Sequence, residues 1–264
     1  MLRATFLHLP GIGPITEARL WQRGIADWKS FRSAAPIPGV SSARWRDLSD
    51  HLRESEEAVT AHDAGFFARR LPESEHWRLY SAFRSKTAFL DIETTGLSPF
   101  EGTVTVVSVH GGGATRTFQA DEDLEEFPAY LRRFAVLCTF NGRSFDVPFL
   151  QYRFPEWAPP PGHIDLRFVL RRLGYSGGLK RIEQMLGLGD RSGVEGVSGA
   201  DAVRLWSEWR RGNAAALERL IRYNRADTAN LEPLLEFASD ELSARLLGGS
   251  GLRRLESPVM SPAS

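Results

Sequence analysis

The 264-residue chain is long enough for one full-sized domain of roughly 150 to 200 residues and something smaller beside it. Hydrophobic residues make up 42% and charged residues 25%, the composition of an ordinary soluble globular protein, which excludes wholesale disorder. Basic and acidic residues balance at 33 each, yet residues 1–86 carry 13 basic and 10 acidic side chains against 20 and 23 in the remainder, a basic front before an acidic back that suits a nucleic-acid enzyme.

The opening Met1-Leu-Arg-Ala-Thr-Phe-Leu-His-Leu-Pro10 has one basic residue and a broken apolar run, without the apolar core of a signal peptide. No stretch nears the roughly 20 apolar residues that span a bilayer. The single cysteine, Cys138, cannot form an internal disulfide and lies in an apolar run that favours burial. A cytoplasmic protein without membrane contact is expected. Leu9-Pro-Gly-Ile-Gly-Pro-Ile-Thr-Glu-Ala-Arg-Leu20 looks like a helix-hairpin-helix element, in which Gly11 and Gly13 would offer backbone N–H groups to a nucleic-acid phosphate. A fainter echo follows at Ile37-Pro-Gly-Val-Ser-Ser-Ala-Arg-Trp-Arg-Asp-Leu48. The alternative is that these helices only pack against the main domain, with Trp21, Trp28, Phe31 and Trp45 as core. Residues 52–84 read as one or two helices separated by Pro72, so that residues 1–84 form a small all-helical module.

From residue 87 the pattern changes to strands. Residues 87–92 and the β-branched run 103–109 are strands, and Ala114–Gln119 follows the Gly111-Gly-Gly113 turn, predicting an antiparallel meander. An amphipathic helix over about 124–134 leads into the buried run 135–140. Further helices are predicted over 166–173, 179–186, 201–209 and, as one long element, 214–246. Strands followed by alternating helix and strand argue for a mixed sheet with helices on both faces, in a domain covering residues 85–247. The glycine-rich residues 187–199 read as a loop over the site, and residues 248–264, rich in Ser, Pro and Gly without periodicity, as a disordered tail.

The chemistry lies in the acids. Asp91 and Glu93, two apart in Lys86-Thr-Ala-Phe-Leu-Asp-Ile-Glu-Thr-Thr-Gly-Leu97, project from one face of a pleated strand. Like charges that close repel, so either a carboxyl keeps a proton or a cation sits between them, and Mg2+ or Mn2+ suits the all-oxygen ligands. Asp146, in Thr139-Phe-Asn-Gly-Arg-Ser-Phe-Asp146, is expected in the first turn of a helix capped by Ser144, where a helix-dipole role is the alternative. Tyr223 and Asp227 are four apart on a late helix and share a face, which a plain hydrogen-bonded pair would also explain.

Asp-x-Glu at a strand end, Asn-x-x-x-Phe-Asp after the next buried strand and Tyr-x-x-x-Asp on a late helix resemble, in order and spacing, the three exonuclease motifs of the DnaQ-like DEDD superfamily. The resemblance is to the tyrosine branch, DEDDy, because position 222, where a histidine branch would place its histidine, is an arginine. Gly162-His-Ile-Asp-Leu166, Gly178-Leu-Lys-Arg-Ile182 and Tyr223-Asn-Arg-Ala-Asp227 also resemble the YprB-type ribonuclease-H-like domain family, which carries a similar front segment. The likeness covers roughly residues 5 to 240. It implies an α/β, ribonuclease H-like fold: a mixed five-stranded sheet flanked by helices, preceded by the helical module.

The resemblance further implies a 3′-to-5′ exonuclease acting on single-stranded DNA or RNA through two divalent ions, Mg2+ or Mn2+, and releasing nucleoside 5′-monophosphates. Asp91, Glu93, Asp146 and Asp227 would be the metal ligands, and Tyr223 would orient the attacking water. With a pKa near 10, a tyrosine is better suited to positioning than to proton abstraction. Thr94, Thr95, Leu97, Asn141 and Phe145 match substrate-contacting positions. Lys180, one of three lysines among many arginines, is a candidate phosphate contact, and Asp165 a supporting or capping residue. The rival readings are a structure-specific endonuclease on the same fold and a non-catalytic nucleic-acid-binding protein with a degenerate exonuclease domain.

Overall fold

The structure is a computed structural model that describes residues 1–194, 196 and 199–248. The tail expected over 248–264 lies outside these residues except for Gly248. After a 3-10 turn at Leu2–Ala4 the front of the chain forms α1 (Pro14–Gln22), α2 (Trp28–Ser33), α3 (Ser42–Thr60), α4 (Ala64–Ala68), a 3-10 segment at Glu73–Leu79 and α5 (Tyr80–Phe83). Then come β1 (Thr87–Thr94), β2 (Val104–Gly111), β3 (Ala114–Gln119), α6 (Phe127–Leu131), β4 (Val136–Thr139), α7 (Asp146–Arg153), β5 (Gly162–Asp165) and α8 (Leu166–Arg172). The remainder is helical: α9 (Leu179–Leu186), α10 (Gly199–Arg210), α11 (Ala214–Ala229) and α12 (Leu231–Gly248). Among the described residues no helix is long and apolar enough to cross a membrane.

The five strands form one mixed sheet in the order β3-β2-β1-β4-β5. β1 to β3 are the expected antiparallel meander, while β4 and β5 run parallel to β1. β1 is therefore central, and its alternate side chains serve two different cores. Ala88, Leu90 and Ile92 pack with Val107, Phe127 and Phe149 on one face. Phe89 packs on the other, with Cys138 and Ile164 and with Phe6, Trp28, Phe67 and Trp77 of the helical front. Asp91 and Glu93 share the parity of Phe89, and so lie on that second face. Cys138 is fully buried there, and burial pushes its thiol well above the ordinary pKa.

A buried polar chain joins the helical front to the α/β part. Arg78 and Glu17 are each 2% exposed. Arg78 donates from Nη1 to both Glu17 oxygens at 3.2 and 3.1 Å, and from Nε to Glu75 Oε2 at 2.6 Å. Glu17 Oε1 also accepts from the Phe6 backbone at 2.7 Å, and Glu75 Oε1 accepts from Arg172 of α8 at 2.9 Å. Glu17, Arg78, Glu75 and Arg172 each have a charged partner, as burial of Glu17 and Arg78 at this depth requires.

Several local expectations are corrected. The Gly11-Ile-Gly13 turn follows a three-residue 3-10 turn rather than a full helix, because Leu2, Phe6, Leu7 and Leu9 are all buried and Pro10 ends the run. The helix expected over 124–134 shrinks to a 3-10 turn at Leu124–Glu126 and the short α6. The long helix over 214–246 is two helices. Pro233 has no N–H to donate to the carbonyl of residue 229 and its ring crowds that carbonyl, so α11 ends at Ala229 and α12 begins with Pro233 in its first turn. Ser144 caps nothing, since Phe145 occupies the cap position and Asp146 opens α7.

Replacing Arg78 by Ala strands the Glu17 charge in the interior and should lower the urea-unfolding free energy by about 3–5 kcal/mol. The double variant Arg78→Met/Glu17→Gln should recover most of that loss.

Candidate active site

β1 carries Asp91 and Glu93 opposite Ser108 and Val106 of β2 and ends in a register shift between Glu93 and Thr94. The chain then folds back on itself. Thr95 N donates to Thr103 O at 3.0 Å and Thr103 N to Thr95 Oγ1 at 2.9 Å. Gly96 and Gly102 approach so closely that a Cβ on Gly102 would lie 2.7 Å from the Gly96 nitrogen. This closed hook projects Leu97, 91% exposed, beside the carboxylates.

A second tight turn delivers Asp146. Asn141 adopts φ 66°, in the left-handed region that asparagine tolerates. A Cβ on Gly142 would collide with the Thr139 side chain at 2.4 Å. Asp165, at the end of β5, accepts from the backbone N–H groups of Asn141 at 2.8 Å and of Arg143 and Arg167 at 3.2 Å each. One carboxylate thus fixes the β4–α7 turn and caps α8, which is the capping role foreseen for it.

α11 lies across β1 and β2 and brings the third set. Tyr223, Asn224 and Asp227 are buried on one face, and Asn224 Nδ2 donates to Asp91 Oδ2 at 2.7 Å. The resulting cleft, about 440 Å³, is lined by Asp91, Glu93, Asp146, Tyr223 and Asp227, with Leu97 and Phe145 at its apolar wall.

Burial, followed by the repulsion of neighbouring carboxylates, raises Asp91 and Glu93 well above the ordinary range. Burial pushes Asp146 up to about 7, against two backbone hydrogen bonds that favour its charged form. Tyr223 is raised by burial and then by Asp227, Glu93 and Asp91, so it keeps its proton. Two cations face this cluster. Lys180 Nζ lies 4.5 Å from the centre of the Tyr223 ring, its pKa lowered by burial. Arg191 Nη1 donates to Asp227 Oδ1 at 2.5 Å.

A model of the RNase_H superfamily (RNase_H_2) matches residues 88–239, more than half of the chain. The chain belongs to the RNase_H superfamily. No curated protein matches it. Among solved structures it is similar to the family B DNA polymerase from the hyperthermophilic archaeon Pyrobaculum calidifontis, at 18% identity over 62% of this chain, with a TM-score of 0.49. The match spans only 25% of the polymerase chain. It is also similar to Brucella melitensis NrnC bound to pGG, at 20% identity over 69% of this chain and 92% of that one, with a TM-score of 0.35. NrnC with bound Mg2+ gives 22% identity over the same shares and a TM-score of 0.32.

The donor set of this RNase_H superfamily site fits a divalent cation. All four carboxylates are brought to one cleft, and Asn224 Oδ1, deeply buried beside Asp91, has no hydrogen-bond partner. The all-oxygen set of carboxylates suits a hard divalent cation. Among the described residues no three acidic, His or Cys side chains already close on one point.

Of the substrate-contacting positions expected from sequence, Thr94, Leu97, Asn141 and Phe145 line the cleft. Thr95 does not, because its hydroxyl is spent closing the hook with Thr103. Lys180 stands over Tyr223 rather than in the lining. Gly11 and Gly13 are absent from the lining, and Arg44 donates to Pro10 O behind their turn. Sequence reasoning passed over Asn224, Arg191 and the buried Glu183, and also Phe140 and Val203 of the cleft wall. Asn224 was legible in principle, standing three residues before Asp227 and so on nearly the same helix face.

The raised carboxyl pKa values set a pH dependence. For Asp146 the folded-state pKa exceeds the unfolded value of about 4, so its stability contribution is full below that value and lost as pH rises through about 7. Asp146→Asn should therefore melt higher than the parent at pH 8 in EDTA, by at least about 2 °C. The gap should shrink at pH 5, as followed by circular dichroism.

Proposed function

We propose that the chain is a metal-dependent 3′-to-5′ exonuclease for single-stranded nucleic acid. The observation that carries this reading is the meeting of Asp91, Glu93, Asp146 and Asp227, from three separate elements, with Tyr223 in one cleft of an RNase_H superfamily domain. The four carboxylates would hold two divalent ions. Such ions, when bound, supply a nucleophilic water at neutral pH and stabilise the charge on the leaving oxygen of a phosphodiester.

The chain's own groups supply the rest. Tyr223, held in its protonated form, donates a hydrogen bond and orients a water rather than removing its proton. Leu97 offers an apolar wedge to the terminal base, and Phe145 an aromatic edge against which a base can rest. Asn141, its amide oxygen accepting from Arg167 at 2.5 Å, is aligned at the mouth. Lys180 supports the site by pinning the tyrosine ring.

A 5′-labelled single strand, as DNA and as RNA, incubated with Mn2+ or Mg2+ should give a ladder shortening from the 3′ end. EDTA or Asp227→Ala should abolish the ladder, and Tyr223→Phe should slow it about 100-fold. Cleavage of a circular strand would instead make the protein an endonuclease. A gel shift without cleavage under any divalent ion would make it a binding protein.

A further inference from the structure

Arg191 lies outside every motif, yet its guanidinium bonds to two carboxylates, Glu183 and Asp227, at the edge of the cleft. Its Nη2 donates to Glu183 Oε1 at 2.9 Å while Nε donates to Glu183 Oε2, a two-pronged grip on a carboxylate of α9 that is 3% exposed. Glu183 Oε1 also accepts from Asn230 Nδ2 at 3.1 Å. Asn230, buried at the α11–α12 junction, brackets the residue before Arg191. Its Oδ1 accepts from Asp190 N at 2.9 Å, and its Nδ2 donates to Asp190 O at 3.2 Å. Gly189, at φ 90°, lets the backbone come so near that a Cβ would meet Asn230 Nδ2 at 2.7 Å. The backbone leading into Arg191 and the side chain of Arg191 are thus both held before the remaining Nη1 reaches Asp227 Oδ1.

The charge balance decides what this contact does. Glu183 already offsets the guanidinium charge, and Lys180 is the other cation that faces Glu183 and Asp227, so Arg191 meets Asp227 chiefly as an oriented donor. It takes one oxygen of Asp227 and fixes the plane of that carboxylate. We infer that Arg191, clamped by Glu183 and Asn230, is a positioning residue that aims Asp227 as a metal ligand. Partners of this kind set ligand orientation, and their loss typically weakens metal binding about 10–100-fold. The inference rests on the metal-site reading of the cleft but not on any hydrolytic activity.

The test is Mn2+ binding to the full chain without nucleic acid, read from the free-ion paramagnetic resonance signal, beside a thermal melt. Arg191→Ala should raise the Mn2+ Kd by about 10-fold or more. Arg191→Lys should do nearly the same, because an ammonium keeps the charge but cannot fork. If Arg191→Ala melts early because Glu183 is left unpaired, Arg191→Ala/Glu183→Gln removes both charges and should still bind Mn2+ weakly at a restored melting temperature. Tighter Mn2+ binding by Arg191→Ala would show a competing cation and overturn the inference. So would an unchanged Kd, full recovery by Arg191→Lys, or a parent chain that binds no Mn2+. A parent that binds Mn2+, loses affinity with Arg191→Ala and cuts no strand would support the clamp while rejecting the exonuclease.

Discussion

Four carboxylates collected at the end of one strand repel one another, and the surrounding structure is arranged to hold them against that repulsion. No single element could supply all of them. Asp91 and Glu93 come from the central strand β1, Asp146 from the first turn of α7 and Asp227 from α11, so the four carboxylates are anchored in three separately packed elements. β1 is suited to this because both its faces are covered: Phe89 meets the helical front, and Leu90 and Ile92 meet the core beneath α6 and α7. A strand free on one side could turn its acids to water and lose the raised pKa values that mark the site.

Each anchor has its own lock, and all are polar. Asp165 fixes the turn before Asp146, Asn224 ties α11 to Asp91, and the Glu183–Arg191–Asn230 cluster joins α9 and the α11–α12 junction to Asp227. Farther off, the Glu17–Arg78–Glu75–Arg172 chain fastens the helical front to α8. Buried networks of this kind add little net stability over an apolar packing, but each member left without its partner is heavily penalised, so they specify one arrangement.

The strands and the three acidic fragments were legible because they rest on period and spacing. β3 and α9 fall at the boundaries read from alternation and from the apolar stripe, and Asp91 and Glu93 reach one face because they are two apart in a strand. What stayed hidden depends on contacts between distant segments. Thr95 looks like Thr94 in sequence, but Thr103, just before the next strand, takes its hydroxyl. Pro233 breaks the last helix, and the apolar pattern that runs on through it hides a change of core: Ala216 and Leu220 of α11 pack with Val106 and Leu205, Leu234 and Leu235 of α12 with Phe89 and the helical front. Arg191 sits in a glycine-rich stretch without periodicity, and nothing in that stretch points to Glu183, eight residues earlier, or to Asp227, thirty-six later.

The hook after β1 has a kinetic consequence. Its shape is set by backbone against backbone at Gly96 and Gly102 and by the Thr95–Thr103 hydrogen bonds, so it behaves as a rigid jamb rather than a swinging door. If the exonuclease proposed above is right, the enzyme would thread a strand end past Leu97 at this fixed edge. Its encounter rate would then scale with the molar concentration of ends, and a long strand would be no easier to find than a short one of equal number.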